Sequence, residues 1–241
     1  MSVQEDGAKA SPATEKVRVW DWTVRTVHWS MMALIGVLWW TAEEGHMEWH
    51  TRIGLILLGV LVFRFYWGFA GPETARFSKL FCTPGTLLTY LKRLLQRPYV
   101  PHMGHNPLGS FSVIALFGAV TAVVGFGLFS SDVNGFFSGP LANGLSFSAA
   151  RDMADRHETA FNILLALIVL HVIAIAAYTL GLRANLIGPM LTGVRTQTPK
   201  DKAEDAAAAK ETPEISAPWV RVAIGIALAV GAVYALVTFG P

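Results

Sequence analysis

Five runs of about twenty apolar residues, at 24–41, 50–69, 108–129, 157–180 and 219–239, alternate along the chain with polar connections. A hydrocarbon core of ~30 Å takes about 20 residues of helix to cross. Helix is also the form that leaves no backbone group unbonded where water is absent. The pattern predicts an all-α membrane protein with five spans. The second run holds one interior charge, Arg64, and the third and fifth are almost purely Val, Ile, Leu, Ala, Gly and Phe. Between the second and third runs, TPGTLLTYLKRLLQRP from Thr83 to Pro98 mixes an amphipathic leucine pattern with basic residues, which predicts a helix lying along the membrane surface. Between the fourth and fifth, the polar stretch from Thr196 to Pro218, rich in Ala, Pro, Glu and Lys, predicts a linker. The domain organisation that follows is a polar tail over 1–17, a four-helix unit over 18–185, a linker over 186–217 and a C-terminal helix over 218–241.

Composition supports this reading: 53% of the 241 residues are hydrophobic and 15% charged, with a mean hydropathy of +0.44, so a lipid environment is expected. The first twenty residues are polar and of mixed charge, without the apolar centre of a cleavable signal peptide. A net charge of +2, with basic residues scattered between apolar runs, excludes a nucleic-acid surface. Lysines and arginines set orientation. Lys9, Lys16, Arg18 and Arg25 precede span one, and Arg76, Lys79, Lys92, Arg93 and Arg97 follow span two. Arg183, Arg195, Lys200, Lys202 and Lys210 follow span four, against only Arg52, Arg151 and Arg156 in the opposite loops. The N-terminus is therefore expected in the cytoplasm and the C-terminus outside.

Histidines inside spans carry the chemistry. An imidazole in a span needs a partner, either a neighbouring helix or a ligand. His157 and His171 are fourteen residues apart in the fourth span, close to four turns, so both rings leave nearly the same face ~21 Å apart. His28 lies near the inner start of span one and His50 at the outer start of span two. By depth, His50 pairs with His157 and His28 with His171. Neutral imidazole is a common axial ligand of haem iron, and bundles hold cofactors between facing helices. Two bis-histidine b haems stacked across the bilayer would form an electron path. Zinc fits less well, because two histidines per level without cysteine or carboxylate fall short of a tetrahedral set. With Cys82 as the single cysteine there is no CxxCH attachment, so any haem is non-covalent. Arg64, fourteen residues after His50, falls at the inner level. It reads either as a cation snorkelling to headgroups or, with Arg25, as a partner of an inner haem propionate.

The segments VWDWTVRTVHW (Val19 to Trp29), HTRIGLILLGVLVFRFYWGFAGP (His50 to Pro72), GHNPLGS (Gly104 to Ser110) and RHETA with the later LH of span four occur in this order. Together they resemble the bacterial cytochrome b561 and nickel-iron hydrogenase cytochrome b subunit family over about residues 17 to 185. The resemblance implies a four-helix transmembrane bundle holding two haems, ligated by His28, His50, His157 and His171. The fifth helix extends it. His46 is an alternative outer ligand, but the HxxxG match favours His50; His105 is expected to sit beside an Asn106 and Pro107 cap, with a quinone-site or docking role left open by the resemblance.

The expected function is electron transfer in the bacterial inner membrane between the quinone pool and a redox protein, a c-type cytochrome or a dehydrogenase- or hydrogenase-like subunit, with homodimerisation a further expectation. No Ser/His/Asp, Cys/His or phosphate-loop constellation is present, as suits a carrier. Two alternatives accompany it. One is a superoxide:quinone oxidoreductase acting at an outer haem edge, for which Arg52, Arg151 and Arg156 would supply a basic funnel against nearby Glu43, Glu44, Glu48, Asp152 and Asp155. The other is a haem-free anchor or transporter using the histidines as a proton relay.

Overall fold

The computed structural model describes residues 15–94, 105–197 and 218–240. The tail up to residue 14, the end of the surface helix and most of the linker expected from the sequence lie outside these residues.

A short strand, β1 (Glu15–Arg18), leads into α1 (Trp22–Glu43). Asp21 caps α1, its Oδ1 accepting from the Val24 amide at 3.0 Å and from the Thr23 hydroxyl. This gives partners to donors that the first helical turn leaves unbonded. At the other end Gly45 turns the chain with φ +73°, a left-handed conformation that suits a residue without Cβ. α2 (Met47–Ala70) then runs back along α1.

α3 (Pro84–Leu94) is helical where the sequence predicts an amphipathic helix. Tyr90 points inward and hydrogen-bonds the Tyr178 hydroxyl at 2.8 Å, while Leu88 and Leu91 stay exposed. α4 (Pro107–Leu128) starts at Asn106, whose Oδ1 accepts from the Gly109 amide at 2.7 Å. Pro107 stands where its missing N–H costs nothing. α5 (Phe147–Ala176) packs along α4 and continues as a π-helical turn, Ala177–Gly181. After α6 (Ile187–Thr192), β2 (Val194–Gln197) pairs antiparallel with β1, Glu15 opposite Gln197 and Arg18 opposite Val194. The sequence reading assigned these strands to tail and linker; the structure instead joins them into a two-stranded ribbon.

α7 (Trp219–Phe239) packs against α2. Gly225 makes this close: a Cβ there would lie 2.8 Å from the rings of both Phe63 and Tyr66. Small residues let membrane helices approach in this way. The Arg221 guanidinium fastens the start of α7 to the Ala70 carbonyl at 3.3 Å.

Among the described residues four helices are long and apolar enough to cross a membrane: α2, α4, α5 through Gly181, and α7. α1 has 22 residues, but Arg25, His28, Ser30 and three threonines lower its hydropathy. The first apolar run is thus helical as expected, though less apolar than the other four.

Two packed clusters fix the helices. Near the ribbon, Val24 and Val27 of α1 meet Phe63 and Trp67 of α2 and Val222 and Ala229 of α7. Midway, Leu57 and Leu61 of α2 meet Val120 and Val124 of α4 and Leu164 of α5, with Leu34 and Leu38 of α1 against them. The second cluster separates the two histidine levels.

Candidate haem-binding sites

At the end far from the ribbon, α2 and α5 bring the His50 and His157 rings together. Their ring centres are 6.0 Å apart and their planes lie at 86°. Two imidazoles on opposite sides of one metal ion, each with a metal–nitrogen bond of about 2.0 Å and about 1.1 Å from nitrogen to ring centre, hold their centres roughly 6 Å apart. The observed spacing would let the two rings hold one metal ion between them.

Second partners orient both rings. His50 Nδ1 lies 3.0 Å from the Leu38 carbonyl and His157 Nδ1 lies 2.8 Å from the Val123 carbonyl. A carbonyl only accepts, so Nδ1 carries the proton in each ring and Nε2 is left with a free lone pair, the tautomer a metal-binding imidazole adopts. The Thr41 hydroxyl, 1% exposed as a residue, stands 3.4 Å from His50 Nδ1 and donates to the same Leu38 carbonyl. Gly127 clears the space for the other ring, since a Cβ there would lie 3.0 Å from His157 Cε1 and Nδ1. His46 stands outside this arrangement. It is the exposed residue preceding α2, with its ring 5.7 Å from that of Trp40.

At the ribbon end, α1 supplies His28 and α5 supplies His171, within electrostatic range of each other. His171 Nδ1 lies 3.1 Å from the Ser112 hydroxyl on α4. His28 Nδ1 is buried without a hydrogen-bond partner, and the ring meets Trp29 edge-on.

Arg64 belongs to this end. It is 9% exposed, its guanidinium carbon sits 4.9 Å from the centre of the Phe77 ring and 6.0 Å from that of Phe117, and its Nη1 is buried with no hydrogen-bond partner. Among the described residues no carboxylate forms a salt bridge with it. A buried cation without an anion is unfavourable, so the site fits an anionic group such as a haem propionate. Arg25 is placed differently: Nη1 donates to the Leu191 carbonyl at 2.5 Å, which ties α1 to α6, while Nε is buried without a partner. His105 packs at a tilt against Trp20 with ring centres 4.7 Å apart, just before the Asn106 cap. Burial lowers its pKa from 6.5 to about 4, assisted by the positive charge of Arg64.

The structure places His50 beside His157, and His28 within electrostatic range of His171. Sequence reasoning missed Ser112, Thr41, Gly127 and the two backbone carbonyls, none of which has a sequence signature apart from its contact. Among the described residues no three His, Cys, Asp or Glu side chains converge as a metal site. Two nitrogens per level suit an iron whose other four ligands come from a porphyrin, and they leave a zinc tetrahedron incomplete.

Neither a curated protein nor a solved structure matches the chain. The family model described as prokaryotic cytochrome b561 matches residues 19–193, from the start of α1 through α6. By this match, which takes in all four histidines, the chain belongs to the prokaryotic cytochrome b561 family, and it is a multi-pass membrane b-type cytochrome of electron transfer.

Proposed function

We propose that the protein carries electrons between two b haems at opposite depths of the membrane, linking the quinone pool to a redox partner protein. His50 and His157 hold the far-end haem, and His28 and His171 the ribbon-end haem. The observation that carries the reading is the 6.0 Å separation of the His50 and His157 rings, each with Nδ1 tied to a backbone carbonyl. Arg64 Nη1 and Arg25 Nε are the buried donors available to propionates at the ribbon end.

When bound, each haem supplies a one-electron iron couple. The chain's part is to fix geometry and exclude water. Backbone carbonyls of α1 and α4 hold the far-end imidazoles in one tautomer, and Ser112 orients His171. Leu57, Leu61, Val120, Val124 and Leu164 pack between the two levels, so the space between the centres is dry. Along α5 the levels are ~21 Å apart. No residue has to donate or remove a proton for electrons to pass. Further parts of the reading are α1 as a fifth span, the inner membrane as location, the ribbon on the cytoplasmic side because lysines and arginines gather there, and a c-type cytochrome or dehydrogenase-like subunit as partner.

Single substitutions test the assignment. His171→Ala is expected to remove the ribbon-end haem and keep the far-end one, and His50→Ala the reverse. Haem per chain and visible spectra of the purified variants give the answer; equal loss of both haems, or of neither, would sink the pairing.

A further inference from the structure

The two sites differ in ways that bear on where an electron rests. At the far end both imidazoles donate Nδ1–H to backbone carbonyls, at 3.0 Å for His50 and 2.8 Å for His157. Such bonds make the ligating nitrogen more basic and favour the more positive, oxidised iron. At the ribbon end His171 meets a hydroxyl, which can donate as well as accept, and His28 Nδ1 has no partner. Its ligand set is the less basic of the two.

Charge acts in the same direction. Arg64 is buried beneath Phe77 with Nη1 unpartnered. Asp21 is the carboxylate whose field reaches it, but the two form no salt bridge. Arg64 Nη1 is therefore free to meet an anion at the ribbon end, in surroundings that screen the charge poorly. A fixed positive charge favours the reduced iron, which carries one positive charge fewer, and offsets the negative charge of a propionate.

We propose that Arg64 acts as a fixed countercharge that makes the ribbon-end haem the higher-potential of the two, so that electrons entering at the far end come to rest beside the ribbon. The inference rests on the two-haem reading above. The exchange is one electron between the two centres, oxidising the far-end iron and reducing the ribbon-end iron, with no proton moved and no bond made or broken. Arg64 is a positioning and charge-setting residue; it ligates no iron.

The test is a potentiometric titration of the full chain in lipid nanodiscs, followed by visible spectrum, alongside haem per chain. The wild type is expected to show two components, and His50→Ala to retain the higher. Arg64→Gln is expected to lower the higher component by about tenfold in its reduction equilibrium, about 59 mV for a one-electron couple, and to leave the lower one in place. Arg64→Lys should restore most of the shift. If Arg64→Gln accumulates no haem, Phe77→Leu serves instead: it admits water to the guanidinium without removing the charge and should shift the same component by less. Movement of the lower component, or of neither, overturns the inference while two haems per chain leave the carrier reading standing. Fewer than two haems in the wild type refutes that reading itself and the inference with it.

Discussion

Gly127 offers a sharp test of the far-end geometry, because a single added methyl acts on one ring and not on the other pair. Gly127→Ala places a Cβ 3.0 Å from Cε1 and Nδ1 of His157, closer than carbon atoms pack at their optimum of about 3.5 Å. The ring or α4 must give by a few tenths of an ångström. His157 is held on the other side by its 2.8 Å bond to Val123, so the ring cannot move without lengthening that bond. Losing a hydrogen bond of this type costs about 1 kcal/mol. Loss of a histidine's outer partner typically weakens metal binding 10–100-fold. The expected result is about tenfold faster loss of one haem from Gly127→Ala when apomyoglobin is added as scavenger, with the second haem retained as in the wild type. Gly127→Val, which adds two further methyls, should purify with one haem per chain. The reasoning is refuted if Gly127→Val keeps both haems with wild-type loss rates, or if both haems are lost together.

Ser112→Ala removes the partner of His171 Nδ1 and should weaken the ribbon-end haem by about tenfold in the same scavenging assay, leaving the far-end haem unchanged. Gly225→Leu drives a side chain into Phe63 and Tyr66 and should lift α7 from α2. A Gly59→Cys and Val233→Cys pair in a Cys82→Ser background, at positions where a Cβ on residue 59 would lie 3.6 Å from Val233 Cγ2, should cross-link readily but fail to do so once Gly225→Leu is added. His105 gives a pH dependence of defined sign. Its folded pKa of about 4 lies below the unfolded value of 6.5, so the unfolded chain binds more protons between these values and stability falls as pH drops through that window. His105→Gln should lose less thermal stability than the wild type between pH 7 and pH 5, and an equal loss would show that His105 is not held neutral.

The long apolar helices and the shared face of His157 and His171 were legible in the sequence because both depend on local periodicity. Apolar runs of membrane length leave helix as the one satisfied backbone form, and fourteen residues bring His157 and His171 to one face regardless of the rest of the fold. The Asn106–Pro107 cap was legible for the same reason, as it spans only the first turn of α4. What escaped the sequence is non-local. Glu15–Arg18 looks like a polar tail until Val194–Gln197, almost 180 residues later, supplies the other strand. Arg25 reads as a candidate propionate partner, and nothing near it in the sequence marks the tie of its Nη1 to the Leu191 carbonyl. Gly127 looks like one of several small residues in an apolar helix, and only the position of the His157 ring gives it a role. The placement of α7 on α2 depends on matching Gly225 to Phe63 and Tyr66, which no pattern within either helix specifies.

The most direct test of the account is a dithionite-reduced minus oxidised visible spectrum of the detergent-purified full chain, expressed with ample haem supply, with haem extracted and counted per chain. Two low-spin b haems per chain is the predicted result. A folded protein with one haem would contradict the paired sites, and a folded, colourless one would contradict cofactor binding and leave the histidines to a proton relay.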